Sequence, residues 1–202
     1  RFSFTAHDSD DQTIAEIKSH PHHFYFSTDC QDRYSPLCAD FGPVDIATLV
    51  RFCLRMRSHF QDERLANRHL VYYFANDAES ASNAAFLLSA YLMLEHSFSI
   101  DEAVMPFTTL EGCPVVPFRD ASYTKSTFEL TVRDCLGGLR RAVQQGWFDL
   151  NTFDVDEYED MADPAEGDMH RICPNFIALR GPEDHSRVVD PQEEFRALSS
   201  ME

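Results

Sequence analysis

Glycine is scarce in this chain: seven among 202 residues, and none between Gly42 and Gly112. A turn that brings backbone amides close to a phosphate relies on residues without a Cβ, so the glycine-free middle excludes a working phosphate loop there. The six cysteines (Cys30, Cys38, Cys53, Cys113, Cys135 and Cys173) include no Cys-x-x-Cys pair, which removes the paired zinc and dithiol motifs. No His-Cys dipeptide and no His-Arg-Asp triplet occur, so the Asp-Phe-Gly at 40–42 stands without the rest of a kinase signature. No serine or cysteine sits in a glycine-flanked elbow that would present a nucleophile. The longest apolar run, 84–94, is about half of what a bilayer span requires. Basic side chains are also short: 17 Lys and Arg face 34 Asp and Glu, for a formal net charge of −17. Such a field disfavours nucleic acid and anionic lipid and favours a basic partner.

What is present is an ordinary globular composition, 44% hydrophobic and 25% charged, in a length that suits one domain with a buried core. The charge is uneven. Residues 1–100 carry 8 basic and 13 acidic side chains, residues 101–202 carry 9 and 21, and 149–168 alone hold nine acids and no base. Cys53 and Cys135 fall on apolar helical stripes, where a reduced thiol acts as a small hydrophobe. With no secretory leader visible, a reducing, intracellular compartment is expected.

Periodicity predicts alternating strands and helices. Residues 1–5 and 22–27 read as strands, with an acidic loop at 7–11 and a polar segment between them. Pro43 suits the first turn of a helix. Ile46, Leu49, Val50, Cys53 and Leu54 then recur at helical spacing, which carries that helix to about Phe60. The heptapeptide HLVYYFA at 69–75 is apolar on both faces, the mark of a central strand in a covered sheet. Residues 76–80 turn the chain into a helix over 80–94 that is apolar almost all round and therefore buried. Ser99 and Glu102 have capping-box spacing. A loop at 115–120 precedes a long helix whose inner stripe is Phe128, Val132, Cys135, Leu136, Leu139 and Val143, with Gly146 as its C-terminal cap. Residues 176–182 make a last strand-like piece, and the tail to Glu202 is polar. The fold class is α/β.

Three places invite chemistry. The turn after 69–75 is where α/β folds hold an anion at a helix N-terminus, but Asp77 and Glu79 there would repel a phosphate. The HPHH cluster at 20–23, near Cys30 and Cys38, lacks zinc-ligand spacing, and His22 and His23 point to opposite faces of a strand. No metal site and no cofactor are expected. The acidic run at 154–168 is either a solvated face or a groove for a cationic segment, whose binding would relieve the mutual repulsion of the carboxylates.

Taken in order, FYFSTD (24–29), ADFGP (39–43), SNAAFLLSAY (82–91), PFRDASY (117–123), DCLGGLR (134–140), FDVDEYE (153–159), EGD (166–168) and FIALRGP (176–182) give the chain a family likeness. It resembles the N-terminal half of the cell-division-cycle fourteen (mitotic-exit) dual-specificity phosphatases over roughly 22–195. The resemblance implies two phosphatase-like domains in tandem, the first without catalytic machinery and the second holding the His-Cys-x5-Arg loop. For this chain it implies a dual-specificity-phosphatase-like three-layer fold, with a central sheet of four to five strands, helices on both faces and a degenerate active-site loop. In that loop Tyr73 stands where the nucleophilic cysteine would be and Glu79 where the phosphate-binding arginine would be, with Asp77 between them. Residues 1–170 would be the phosphatase-like domain, and 171–202 the linker and the start of the segment leading to a catalytic domain.

The role so implied is substrate selection without hydrolysis. The domain would line an acidic groove for phosphoserine-proline sites followed by Lys or Arg, using Asp120, Glu159 and Asp168. Family members usually carry another acid three residues after the position of Glu159; this chain has Ala162 there, then Asp163, which weakens the groove or shifts it by one residue. The partners implied are phosphoprotein substrates and a catalytic phosphatase domain in the same protein, with no nucleic acid and no membrane. The implied location is the nucleus, nucleolus, spindle or centrosome. The alternative is a free-standing pseudophosphatase or binding module that docks basic protein segments.

Overall fold

The computed structural model describes residues 1–28, 34, 36, 38–108, 115–165, 167–179 and 181. Cys30, Cys113, Glu166 and the residues from 182 onward, on which some of the expectations above fall, lie outside the described residues. The chain divides into two compact units, Arg1–Asp156 and Glu157–Glu202.

The first unit opens with strand β1 (Phe2–His7), helix α1 (Asp10–Ser19) and strand β2 (His23–Phe26). Helix α1 replaces the expected acidic loop and polar segment. Its start is capped on both sides: the Ser9 hydroxyl accepts from the Gln12 N–H at 3.3 Å, and Gln12 Oε1 accepts from the Asp8 N–H at 2.9 Å. Asp10 and Asp11 then sit in the first turn, where the helix dipole favours negative charge. Helix α2 (Ile46–Gln61), a 3-10 turn (Glu63–Leu65), strand β3 (His69–Ala75) and helix α3 (Ala78–His96) follow. Helix α4 (Ile100–Thr108), a ribbon of β4 (Phe118–Arg119) and β5 (Glu129–Leu130), and helix α5 (Val132–Gln144) come next. Helix α6 (Val155–Ala162) starts at the end of this unit; strands β6 (Met169–Cys173) and β7 (Phe176–Leu179) belong to the second.

Strands β1, β3 and β2 form a parallel sheet in that order, with Phe2 opposite Leu70, His7 opposite Ala75 and His23 opposite His69. Among the described residues this sheet has three strands rather than the four to five that the resemblance implies. Strand β4 pairs with β5 as a two-residue ribbon, and β6 with β7 as a hairpin of the second unit.

Alternation along the strands sorts the side chains into two layers. Phe4, Phe24, Phe26, Leu70, Tyr72 and Phe74 face the larger helical layer. There Phe4 stacks on Phe107 of α4 with ring centres 4.5 Å apart, and Phe52 of α2 meets Tyr72 edge-on at 5.3 Å. The opposite face is covered by α1, which pairs with His7 at both ring nitrogens: Thr13 Oγ1 lies 2.7 Å from Nδ1, and Glu16 Oε2 lies 3.1 Å from Nε2. Helix α3 packs against β3, α2, α4 and α5, which explains why its apolar girth is buried. Its two buried serines are satisfied: Ser82 Oγ exchanges 2.9 Å bonds with the Val116 N–H and carbonyl, and Ser89 Oγ donates to the Ala103 carbonyl at 3.0 Å.

The inner stripe of α5 is shorter than its periodicity predicts. Val132, Leu136 and Leu139 are buried, whereas Phe128 and Val143 are exposed. The helix begins only at Val132, behind a Thr131–Asp134 capping box, so Phe128 is not on it, and Val143 falls in the last turn. Gly146 follows the C-cap residue Gln145 with φ of +68°, a left-handed conformation suited to glycine.

Candidate functional site

Strand β3 ends at Ala75 and helix α3 begins at Ala78, so only Asn76 and Asp77 separate them. Tyr73 consequently stands inside the strand ladder, opposite Thr5, and its ring stacks on His7 at 5.2 Å, on the α1 side of the sheet. Asp77 is the N-cap of α3: Oδ1 accepts from the Ser80 N–H at 2.8 Å, and Oδ2 accepts from the Ser80 hydroxyl at 2.9 Å. Asp77 and Glu79 line a cavity of about 380 Å³, together with Thr28, Tyr34, Tyr72 and Asn83. Of the three residues that the resemblance lays on one loop, two reach the cavity. Tyr73 stays in the sheet.

The chemistry available to this cavity is limited by what lines it. Neither cysteine nor histidine is among the described lining residues. Thr28 Oγ1 and the Tyr72 hydroxyl bond each other at 2.8 Å, and the Tyr34 hydroxyl donates to Asp40. Burial, followed by that bond, raises the Tyr34 phenol above its ordinary range, so it stays protonated at neutral pH. At the start of α3 the Asp77 carboxylate accepts from the Ser80 N–H, and Glu79 adds a second carboxylate to the cavity lining.

One wall of the cavity comes from the segment that leads into α2. Asn83 Oδ1 accepts from the Val44 N–H at 3.0 Å, and its Nδ2 donates to the Phe41 carbonyl at 2.7 Å. Gly42 between them has φ of +148°, and a Cβ there would lie 2.6 Å from Asn83 Oδ1 and 3.0 Å from the Phe118 ring. The glycine of ADFGP thus answers both a backbone need and a lack of space.

Two thiols of the first unit are poorly suited to attack. Burial, reinforced by Glu95 and opposed by Arg57, pushes Cys53 up to about 12. Burial with Asp134 pushes Cys135 up to about 11. A thiol held protonated is a weak nucleophile.

The acidic residues singled out from the sequence occupy turns and a helix surface. Asp120 follows β4 and accepts from the Ser122 hydroxyl at 2.5 Å and from the Thr127 N–H at 3.4 Å. The Ser122 bond above all holds its carboxyl below the ordinary carboxylate range. In the second unit, Glu159 is exposed on α6 and Asp168 is half-buried with φ of +46°. Asp163 links their backbones: its N–H donates to the Glu159 carbonyl, and its carbonyl accepts from the Asp168 N–H, both at 3.0 Å. Ala162 is the last residue of α6. Glu157 faces Arg171 at 3.4 Å, a base just beyond the uncompensated run.

Sequence reasoning named Asp40 and Asp163 only within motifs and did not single out Asn83, and for none of the three did it foresee the hydrogen bonds with which they organise these turns. For Asp163 a signal existed, the Asp-Pro step at 163–164 that starts a turn; for Asn83, inside an apolar helix, there was none. Among the described residues no group of three or more His, Cys, Asp or Glu side chains is arranged to hold a metal ion. Nor is any described helix long and apolar enough to cross a membrane.

Comparison with known proteins gives this geometry its context. The family described as dual specificity protein phosphatase, N-terminal half, matches residues 1–142. The dual specificity protein phosphatase CDC14A of Homo sapiens is 38% identical over 165 residues, 81% of this chain and 28% of that protein. The tyrosine-protein phosphatase CDC14 of Saccharomyces cerevisiae is 32% identical over 164 residues, 81% of this chain and 30% of that protein. The tyrosine-protein phosphatase cdcA of Emericella nidulans is 36% identical over 180 residues, 87% of this chain and 29% of that protein. The chain thus spans less than a third of the length of these relatives. By the family match and by these likenesses to CDC14 phosphatases, the chain belongs to the family formed by the N-terminal half of dual specificity protein phosphatases.

Proposed function

We propose that this domain selects substrates for a dual-specificity protein phosphatase and performs no hydrolysis itself. Phosphoryl transfer through a cysteine would belong to a catalytic half in the same protein. This half would supply carboxylates, Asp120, Glu159 and Asp168 among them, to Lys or Arg residues that follow a phosphoserine-proline site. The observation that carries the reading is the run of nine acids without a base between 149 and 168.

Exposed carboxylates act mostly on encounter and discrimination rather than on raw affinity. Each pair with a substrate cation is worth about 0–1 kcal/mol, up to roughly fivefold in kcat/KM. The test compares hydrolysis of two phosphopeptides, one with Lys and one with Ala downstream of the Ser-Pro site, by the full-length protein. Asp120→Lys, Glu159→Lys and Asp168→Lys, singly and together, are expected to shrink the preference for Lys stepwise. A triple variant that discriminates as well as the wild type would refute the groove. The 202-residue chain alone is expected to leave both peptides phosphorylated.

A further inference from the structure

Strands β4 and β5 are two residues each, with Phe118 opposite Leu130 and Arg119 opposite Glu129, and residues 120–128 connect them. A ladder of two pairs holds little by itself. The order in the connection comes from side chains. The half-buried Arg119 donates through Nη2 to the Ser122 carbonyl at 3.0 Å and to the Thr124 carbonyl. Its neighbour Asp120 takes the donors of the same turn: the Ser122 hydroxyl on Oδ1 and the Thr127 N–H on Oδ2, with the Ser126 hydroxyl also in reach. The Ser122 N–H closes on the Asp120 carbonyl at 2.9 Å.

The two neighbours divide the turn by chemistry. A guanidinium has only donors and an ionised carboxylate only acceptors, so Arg119 holds carbonyls of the near limb while Asp120 ties the near limb to the far one. Ser122 serves both: its carbonyl accepts from Arg119 and its hydroxyl donates to Asp120. Fixing Ser122 therefore fixes a donor that orients the carboxylate. A carboxylate offers about four lone-pair positions, so these bonds aim Asp120 without exhausting it. Arg119 Nε is buried with no partner among the described residues. A buried donor left unpaired is costly, so the guanidinium is placed for the two carbonyls and not for a full set of its own bonds.

We infer that Arg119 is a positioning residue for substrate selection: it clamps the 120–127 turn and so aims the Asp120 carboxylate at the Lys or Arg of a substrate peptide. The inference rests on the reading of Asp120 as a groove carboxylate. It carries a sign that charge alone would reverse. A cation beside Asp120 weakens the attraction felt by an incoming Lys, so an Arg119 acting only as a charge would, on removal, strengthen the preference for Lys. Removal of a clamp weakens it. Lysine is no substitute, because a rotating ammonium on a flexible stem is not pre-organised for two carbonyls as the planar guanidinium is.

The test measures kcat/KM of the full-length protein for two phosphopeptides, with Lys or Ala downstream of the Ser-Pro site, and takes their ratio. A variant that merely loses folded enzyme lowers both values alike and leaves the ratio where it was. Arg119→Gln and Arg119→Lys are each expected to lower the ratio about two- to fivefold, the scale of one solvated ion pair, as Asp120→Asn does. Arg119→Lys added to Asp120→Asn is expected to lower it no further. An unchanged or raised ratio in Arg119→Gln would overturn the inference. So would an Arg119→Lys variant with the wild-type ratio, or a double variant in which the two losses multiply. An Asp120→Asn variant that keeps the preference would sink the groove reading together with this inference. A loss in Asp120→Asn without one in Arg119→Lys would sink this inference alone.

Discussion

Strands β3 and β7 have the same grammar and opposite surroundings. HLVYYFA and FIAL are both apolar on successive residues, so each presents hydrophobic side chains to both faces of its sheet. In β3 the faces are filled from within the chain: α2 and α4 side chains meet the sheet on one side, and α1 covers the other through His7, Thr13 and Glu16. In β7 the same kind of residues remain in water. The difference teaches that apolarity on both faces marks a need for two covering layers, without saying whether the layers lie within the same stretch of chain.

Truncation should break the comparison most sharply. Phe74→Ala in β3 removes a ring buried on all sides and is expected to cost about 3–5 kcal/mol of unfolding free energy. Phe176→Ala in β7 of the same chain should change it by no more than about 0.5 kcal/mol. Denaturant titration of both variants measures the contrast directly. A smaller effect is expected at the wall of the cavity beside β3. Gly42→Ala places a methyl group against Asn83 Oδ1 at a positive φ and should cost about 1–3 kcal/mol, seen as a lower denaturant midpoint with an unchanged slope.

Acid should act on the first unit through its caps. The Ser99 hydroxyl holds Glu102, the Thr131 hydroxyl holds Asp134 and the Ser122 hydroxyl holds Asp120 below their ordinary carboxylate values. A carboxyl with a depressed folded pKa binds its proton more readily when unfolded. The stability it contributes is therefore complete above the unfolded value near 4 and is lost as pH falls through the lower folded value. The melting temperature is expected to decline below about pH 4, and Asp134→Asn to flatten that decline. The smallest effect is local. Ser122→Ala should raise the Asp120 pKa toward the ordinary range with no change in fold, as read from the side-chain carboxyl signal in an NMR titration.

Parts of this molecule were legible in the sequence because burial is written in the side chains that undergo it. HLVYYFA coincides with β3 to the residue, and the helix expected over 80–94 lies inside α3. Helix α1 was not legible because it is a polar helix: Ile14 and Ile17 are half exposed, and it is held by a Ser9 cap and by one buried histidine from another strand. The Ser-x-x-Gln spacing at 9–12 was its available signal. Among the described residues the sheet has three strands, and the segments at 118–119 and 129–130 pair with each other as a ribbon.

The site divides in the same way. That Asp77 and Glu79 bring two carboxylates to the start of α3 is a matter of position, which sequence spacing conveys. That Tyr73 leaves the cavity and stacks on His7 depends on a two-residue connection between β3 and α3 and on the parity of the strand, which a loop pattern laid over the sequence does not carry. The bare faces of β7 were beyond reach for a simpler reason. Exposure belongs to the assembled layers, not to the four residues that show it.

The most direct test is amide hydrogen exchange of the 202-residue chain, read at β3 and β7 in one experiment. The account predicts that the amides of Val71–Phe74 exchange only with global unfolding, while those of Ile177–Leu179 exchange at least a hundredfold faster. Equal protection of the two strands would contradict it, because β7 would then have its covering layers within this chain.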